Sequence, residues 1–259
     1  MVDGSRTNGA VQPTMWGIFF EDINLGADGG IYAELVKNRS FEFIKPLMGW
    51  DLNGKKLKEG SFLVVNEAAV RPNNPRFLQV TMNDCDTGDL GLVNEGFRGM
   101  GIRKDLNFDF SVQYRRATAP VTLSLELLNS QDKPIGHGSL VLPATGDAWQ
   151  KATVQFRSTD TAQRGRLQIW VSGNGRVDLD QLSLFPGDTW KGRQGGLRAD
   201  MVQALADLKP GFIRFPGGCI VEGHELSTRY QWKKTVGPVE DRPLSINRWN
   251  NEFAHRAAP

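Results

Sequence analysis

Met15-Trp16-Gly17-Ile18-Phe19-Phe20-Glu21-Asp22-Ile23-Asn24 sets a short apolar run directly against two acids and an amide. Such a run reads as a buried strand of a parallel sheet, delivering Glu21, Asp22 and Asn24 at its C-terminal end. A second stretch of the same kind lies far along the chain, where Phe212-Ile213-Arg214-Phe215 runs into Pro216-Gly217-Gly218-Cys219. Before it, Leu197, Met201, Val202, Leu205 and Leu208 share one helical face, and Lys209-Pro210-Gly211 stops that helix. Helix, tight turn, strand and glycine turn form the repeating unit of an α/β sheet or barrel. The two distant stretches therefore read as pieces of one fold.

Between them the texture differs. Gly29-Gly30 is followed at 31–36 by a short stretch of helical character with an Asn38-Arg39-Ser40 stop. From about residue 42, period-2 alternation takes over: at 77–82, 108–114, 121–127, 152–156, 167–171 and 177–184. Gly, Asn, Asp and Pro separate these runs, the signature of an antiparallel β-sandwich of jelly-roll type. No helix pattern interrupts residues 60–186. The expected fold class is α/β plus all-β. Residues 1–41 open a (β/α)8 barrel, 42–188 form an inserted β-sandwich, and 189–259 resume the barrel with a helix, a second strand and a long loop. Two barrel strands leave unpaired edges, so the barrel is expected to be incomplete within this chain.

Composition narrows the function classes. With 31 basic and 29 acidic side chains mixed along the sequence, no basic stripe marks a nucleic-acid partner. The apolar runs fall far short of the roughly 20 residues that span a bilayer, so no membrane partner is expected. Residues 1–14 lack the apolar core of a signal peptide. Export is expected only if a signal peptide precedes this chain, and a cytoplasmic location otherwise. The two cysteines, Cys85 and Cys219, rule out a disulfide framework. Self-association is left open.

The chemistry-bearing residues cluster at the two strand ends: Glu21, Asp22 and Asn24 after the first, Arg214 and Cys219 after the second. In β/α-barrels the active site lies at the C-terminal face, so both sets would converge there. Carboxylates that accept from hydroxyls, an arginine that donates and indole faces suit a neutral polyol such as a sugar. The same pattern also suits a structural ion pair between Glu21 and Arg214. Pro216-Gly217-Gly218 lacks the spacing of nucleotide loops, and its glycines suit a sharp turn or a close approach. Cys219 and His224 make neither a metal site without further ligands nor a well-supported nucleophile pair, and no cofactor is implied. A long loop follows through Tyr230-Gln231-Trp232 and Gly237-Pro238 to Arg242-Pro243, with Trp249 beyond. It reads as a functional wall or as a packed surface loop anchored by its tryptophans.

At this point the sequence resembles a known family. The stretch from Gly17 through Asn24, with Asp28-Gly29-Gly30-Ile31-Tyr32-Ala33-Glu34-Leu35-Val36-Lys37-Asn38-Arg39-Ser40-Phe41-Glu42, is similar to the start of family 51 glycoside hydrolases, the α-L-arabinofuranosidases. Arg214-Phe215-Pro216-Gly217-Gly218-Cys219-Ile220-Val221-Glu222-Gly223, then Trp232 through Gly237-Pro238 to Arg242-Pro243, resembles a second signature of that family. The insert, closing at Leu179-Asp180 to Asp188-Thr189-Trp190, is similar to a carbohydrate-binding-like module of longer members.

The resemblance implies a retaining hydrolase that removes terminal α-L-arabinofuranosyl groups from arabinose-containing poly- or oligosaccharides. It would use two glutamates about 5 Å apart. Neither matches a position in this chain, because both belong to later strands. Glu21, Arg214 and Cys219 match residues that hold the arabinofuranose ring, the last being Asn in some relatives. Trp249 lies where relatives place an aromatic near the aglycone side. A catalytic Glu21–Glu222 pair is disfavoured, since Glu222 lies beyond the glycine turn. Two other readings remain: a non-catalytic sugar-binding module using Trp149 and Trp170, and a xylanase-like barrel acting on another sugar.

Overall fold

The structure is a computed structural model that describes residues 3–6, 9–23, 25–58, 60–243, 245–246, 249 and 254–255. Asn24 and most of the terminal stretch from Asn250 lie outside the described residues. The fold is mostly β-sheet with few helices. Strand β1 (Ile18–Phe19) comes first, followed by β2 (Trp50–Asn53), β3 (Ser61–Asn66), β4 (Arg76–Cys85), β5 (Gly91–Asn94) and β6 (Met100–Ile102). Then come β7 (Asn107–Arg115), β8 (Val121–Leu128), β9 (Pro134–Leu142), β10 (Gln150–Arg157) and β11 (Ala162–Pro186). Helix α1 (Ala199–Asp207), strand β12 (Ile213–Arg214) and the single turn α2 (Cys219–Glu222) follow.

Strand β11 organises the large antiparallel system. Its first half pairs with β8 on one side and with β5 and β6 on the other; β9 extends beyond β8, and β2 beyond β5. Its second half pairs with β7 and β4, which carry β10 and β3 at their outer edges. The changeover falls at Gly173 and Gly175, both at positive φ, where the β4 register shifts. Glycine is suited to a break of this kind, since a Cβ would be strained there. The two alternating runs at 167–171 and 177–184 are thus one continuous strand.

Alternation translates directly into burial. In β8, Val121, Leu123, Leu125 and Leu127 are buried while Thr122, Ser124 and Glu126 are half-exposed. Phe108, Phe110 and Val112 of β7 join them, with Leu179, Leu182 and Leu184 of β11, in one hydrophobic cluster. Each large side chain fully removed from water contributes roughly 1.5–3 kcal/mol.

Two local expectations are corrected. Residues 31–36 are not helical, and two of their N–H groups bond to distant segments. Ala33 donates to the Gly196 carbonyl (3.2 Å) and Leu35 to that of Leu184 (3.0 Å). The expected buried strands at 15–23 and 212–215 form a two-residue parallel pair, with Ile18 opposite Ile213 and Phe19 opposite Arg214. Phe19 and Ile213 are 53% and 62% exposed, since each strand has only the other as a neighbour among the described residues. Helix α1 occupies the expected place, and it ends before Lys209, whose φ is positive.

Candidate functional site

The parallel pair continues past its formal ends. Phe20 N–H donates to the Arg214 carbonyl (2.9 Å) and Asp22 N–H to that of Pro216 (3.3 Å). Glu21 is thereby fixed against the glycine turn. An ideal Cβ on Gly217 would lie 2.4 Å from Glu21 Cγ, and Gly217 sits at φ +138°, so the position requires glycine twice over. A Cβ on Gly218 would lie 3.6 Å from Glu21 Oε2, in ordinary contact.

Half-buried Glu21 uses one oxygen. Its Oε1 accepts from Ile220 N–H (3.2 Å), in the first turn of α2, and from the indole N–H of Trp249 (3.3 Å). Its Oε2 has no hydrogen-bond partner among the described residues and sits beside the bare face of Gly218. Glu21 and Arg214 form no ion pair. The Arg214 guanidinium instead lies over the Phe19 ring at 4.9 Å, and Arg214 is exposed. Cys219 is a free, half-buried thiol at the start of α2. The structure therefore joins Glu21 and Trp249 directly, with Arg214 and Cys219 on the adjoining strand end and turn. Asp22 turns the other way: its Oδ1 accepts from Ala27 N–H (2.9 Å).

Against the end of β11 lies a buried polar cluster that local sequence reading did not single out. Glu34 accepts from Arg39 Nη1 (2.9 Å), Leu184 N–H (2.9 Å), Val36 N–H (2.9 Å) and the Ser183 hydroxyl. Burial pushes the Glu34 carboxyl up, against the pull of Arg39, Ser183 and the two N–H groups. Burial acts against the Arg39 charge too, yet Tyr32, Glu34 and Asp28 more than offset it and raise its pKa. The one charged residue inside the apolar run 31–36, Glu34, was the available signal.

The loop after α2 is partly anchored. Tyr230 packs edge-on against Phe215 at 6.3 Å, and Arg242 donates from Nε and Nη2 to the Gly237 carbonyl (3.0 and 2.7 Å). Trp232 is 63% exposed, so it is not a packed anchor. The two tryptophans of the β-region are engaged. Trp149 lies edge-on to Phe77, with the Arg71 and Arg115 guanidinium groups 4.7 and 4.6 Å from its ring centre. Trp170 donates to Glu126 Oε2 (3.1 Å). No group of three His, Cys, Asp or Glu side chains is placed to hold a metal ion among the described residues.

Comparison with known proteins bears on the same end of the chain. The family model "Alpha-L-arabinofuranosidase 1 domain" matches residues 204–256, which contain β12, the glycine turn and Trp249. The chain superposes on a solved arabinose-bound family 51 α-L-arabinofuranosidase with a TM-score of 0.84 and 29% identity, over 97% of this chain and 41% of that one. Along nearly its whole length, the chain is similar to a family 51 α-L-arabinofuranosidase. An extracellular exo-α-L-arabinofuranosidase of Streptomyces chartreusis is 38% identical, over 96% of this chain and 30% of its own length. α-L-Arabinofuranosidase 1 of Arabidopsis thaliana is 35% identical over 93% of this chain and 37% of its own. The chain thus spans about a third of the length of the curated relatives it matches.

Proposed function

We propose that this chain is the sugar-holding part of an enzyme that releases terminal α-L-arabinofuranosyl groups from arabinan- or arabinoxylan-type polysaccharides. The arrangement of Glu21 carries the reading. One carboxylate oxygen is held by Ile220 N–H and Trp249 N–H, so the other is oriented and open to accept from a sugar hydroxyl. A pre-oriented charged acceptor loses little freedom on binding, and this favours a polyol over water. Arg214 supplies donors beside it, Cys219 a small soft wall, and the exposed indole of Trp249 an apolar face on the outer side.

In this reading residues 1–41 and 189–259 belong to one (β/α)8 barrel, and residues 42–188 are a β-sandwich inserted between its first two strands. The parallel pairing of Ile18 with Ile213 supports a shared sheet. The acid/base and nucleophile glutamates of a retaining mechanism, about 5 Å apart, come from strands beyond residue 259. Glu21 holds the ring and takes no part in proton transfer.

The test is turnover of an aryl α-L-arabinofuranoside by a polypeptide extended to the length of the curated relatives. Release of the product first as the α-anomer, and no turnover by residues 1–259 alone, are expected. Turnover by residues 1–259 that Glu21→Gln abolishes would overturn the assignment of roles. Cleavage of xylosides in place of arabinofuranosides would overturn the substrate.

A further inference from the structure

A second concave site lies away from Glu21, on the outer face of the sheet formed by β10, β7 and the second half of β11. Its floor is set by register. Lys151 lies opposite Gln113, Thr153 opposite Ser111 and Gln155 opposite Asp109; Ser183 and Phe185 of β11 pair with Ser111 and Asp109 from the other side. Three strands about 4.8 Å apart, each presenting alternate residues, make a platform roughly 10 Å wide. Its walls come from three other segments: Tyr32 with Arg39, Gln194 with Gly195, and Val239 with Glu240 and Arg242. The enclosed groove is about 500 Å³, within the range of small-ligand sites.

We infer that this groove binds a short run of an uncharged polysaccharide, as a subsite remote from the bond that is cut. Its chemistry argues for that class. Ser111, Gln113, Thr153 and Gln194 are hydroxyls and amides, groups that both donate and accept, and their side chains make no hydrogen bond among the described residues. The charges around the groove oppose one another: Arg39 is committed to Glu34 (2.9 Å), and Gln155 covers Asp109 (2.7 Å). No single-sign field selects an anion, and the floor carries no broad apolar patch for a lipid or an apolar peptide. Two aromatic rings that border the site, Tyr32 and Phe185, are packed on each other edge-to-face at 5.4 Å.

The groove is also tied to the candidate sugar pocket. Asn73 Nδ2 donates to the Asp241 carbonyl (2.9 Å), fastening the wall loop onto the β-region. Six residues separate Arg242 on the groove from Trp249 on Glu21, at most roughly 25 Å of extended chain. Binding that spans both sites rests on the arabinofuranosidase reading; binding in the groove itself does not. Because the walls lie outside residues 42–188, the isolated β-region would lack half of the site.

Titration of the 259-residue chain with linear arabino- and xylo-oligosaccharides, followed by calorimetry, tests this directly. Saturable binding with a Kd below about 1 mM is expected. It should weaken about tenfold in Gln113→Ala/Thr153→Ala, whose surface positions leave thermal unfolding unchanged. In the polypeptide extended to the relatives' length, the double variant should raise KM for the polymer and leave turnover of the aryl arabinofuranoside intact. Absence of saturable binding overturns the inference, as does binding unmoved by the double variant or a preference for polygalacturonate over neutral chains. An extended polypeptide that ignores aryl arabinofuranosides would overturn the proposed function, and the titration would still judge the groove.

Discussion

The indole N–H of Trp249 donates to Oε1 of Glu21 across 3.3 Å, joining residues 228 positions apart. With Ile220 N–H on the same oxygen, the carboxylate is fixed by two donors, while Oε2 lies beside Gly218 with no hydrogen-bond partner among the described residues. Glu21→Gln keeps the shape and removes the charge. A hydrogen bond to a charged group contributes about 1.5–3 kcal/mol, so kcat/KM for an aryl arabinofuranoside in the extended polypeptide should fall roughly 10- to 150-fold. An unchanged kcat/KM would remove Glu21 from the sugar-binding set.

Gly217→Ala should damage the same site without touching the carboxylate chemically. Its Cβ would meet Glu21 Cγ at 2.4 Å, and φ +138° is strained for any L side chain. Glu21 must then move. Turnover by the extended polypeptide should drop at least tenfold, while the thermal midpoint of the β-region holds, because the core cluster draws no residue from 210–223. Wild-type kinetics in this variant would show that Glu21 need not sit where it does.

How much of this was legible depends on the neighbours of each segment. Strands β7 and β8 alternate because one face meets the core and the other meets water. Strand β5 gave no signal, since all four of its residues are buried and the period vanishes. The spacing at 31–36 suits a helix, but hydrogen bonds to residues 184 and 196 override local preference. Glu21 and Arg214 stood out as polar residues ending apolar runs. The contact of Glu21 with Trp249 has no local signature; the resemblance supplied Trp249. The groove floor was invisible, because outward residues of a strand look alike whether they face water or a ligand.

Acid stability should depend on Glu67. Burial works against its charge, yet hydrogen bonds from Arg115 (2.6 Å) and Arg116 (3.1 Å) hold its carboxyl below the ordinary 4.5. A depressed carboxylate contributes stability that is fully present above the unfolded value and is lost as pH falls through the folded one. Glu67→Gln should therefore cost about 1–2 kcal/mol at pH 7, with the difference from wild type shrinking below pH 4.5. Urea unfolding at several pH values reads this out. A penalty that stays constant into acid would mean that the two arginines do not set the Glu67 charge.

Glu34 carries the largest expected single loss. Its side chain is 3% exposed and receives Arg39, Ser183 and the N–H groups of Leu184 and Val36. Glu34→Ala leaves the Arg39 guanidinium, itself 12% exposed, without its carboxylate, and frees two N–H groups inside the fold. Breaking a buried ion pair from one side costs about 3–5 kcal/mol, because the remaining charge is not rehydrated. Glu34→Ala/Arg39→Met removes both charges and should recover part of that loss. Equal destabilisation in the single and double variants would show that the backbone bonds of Glu34, and not its pairing with Arg39, hold residues 33–36 against β11.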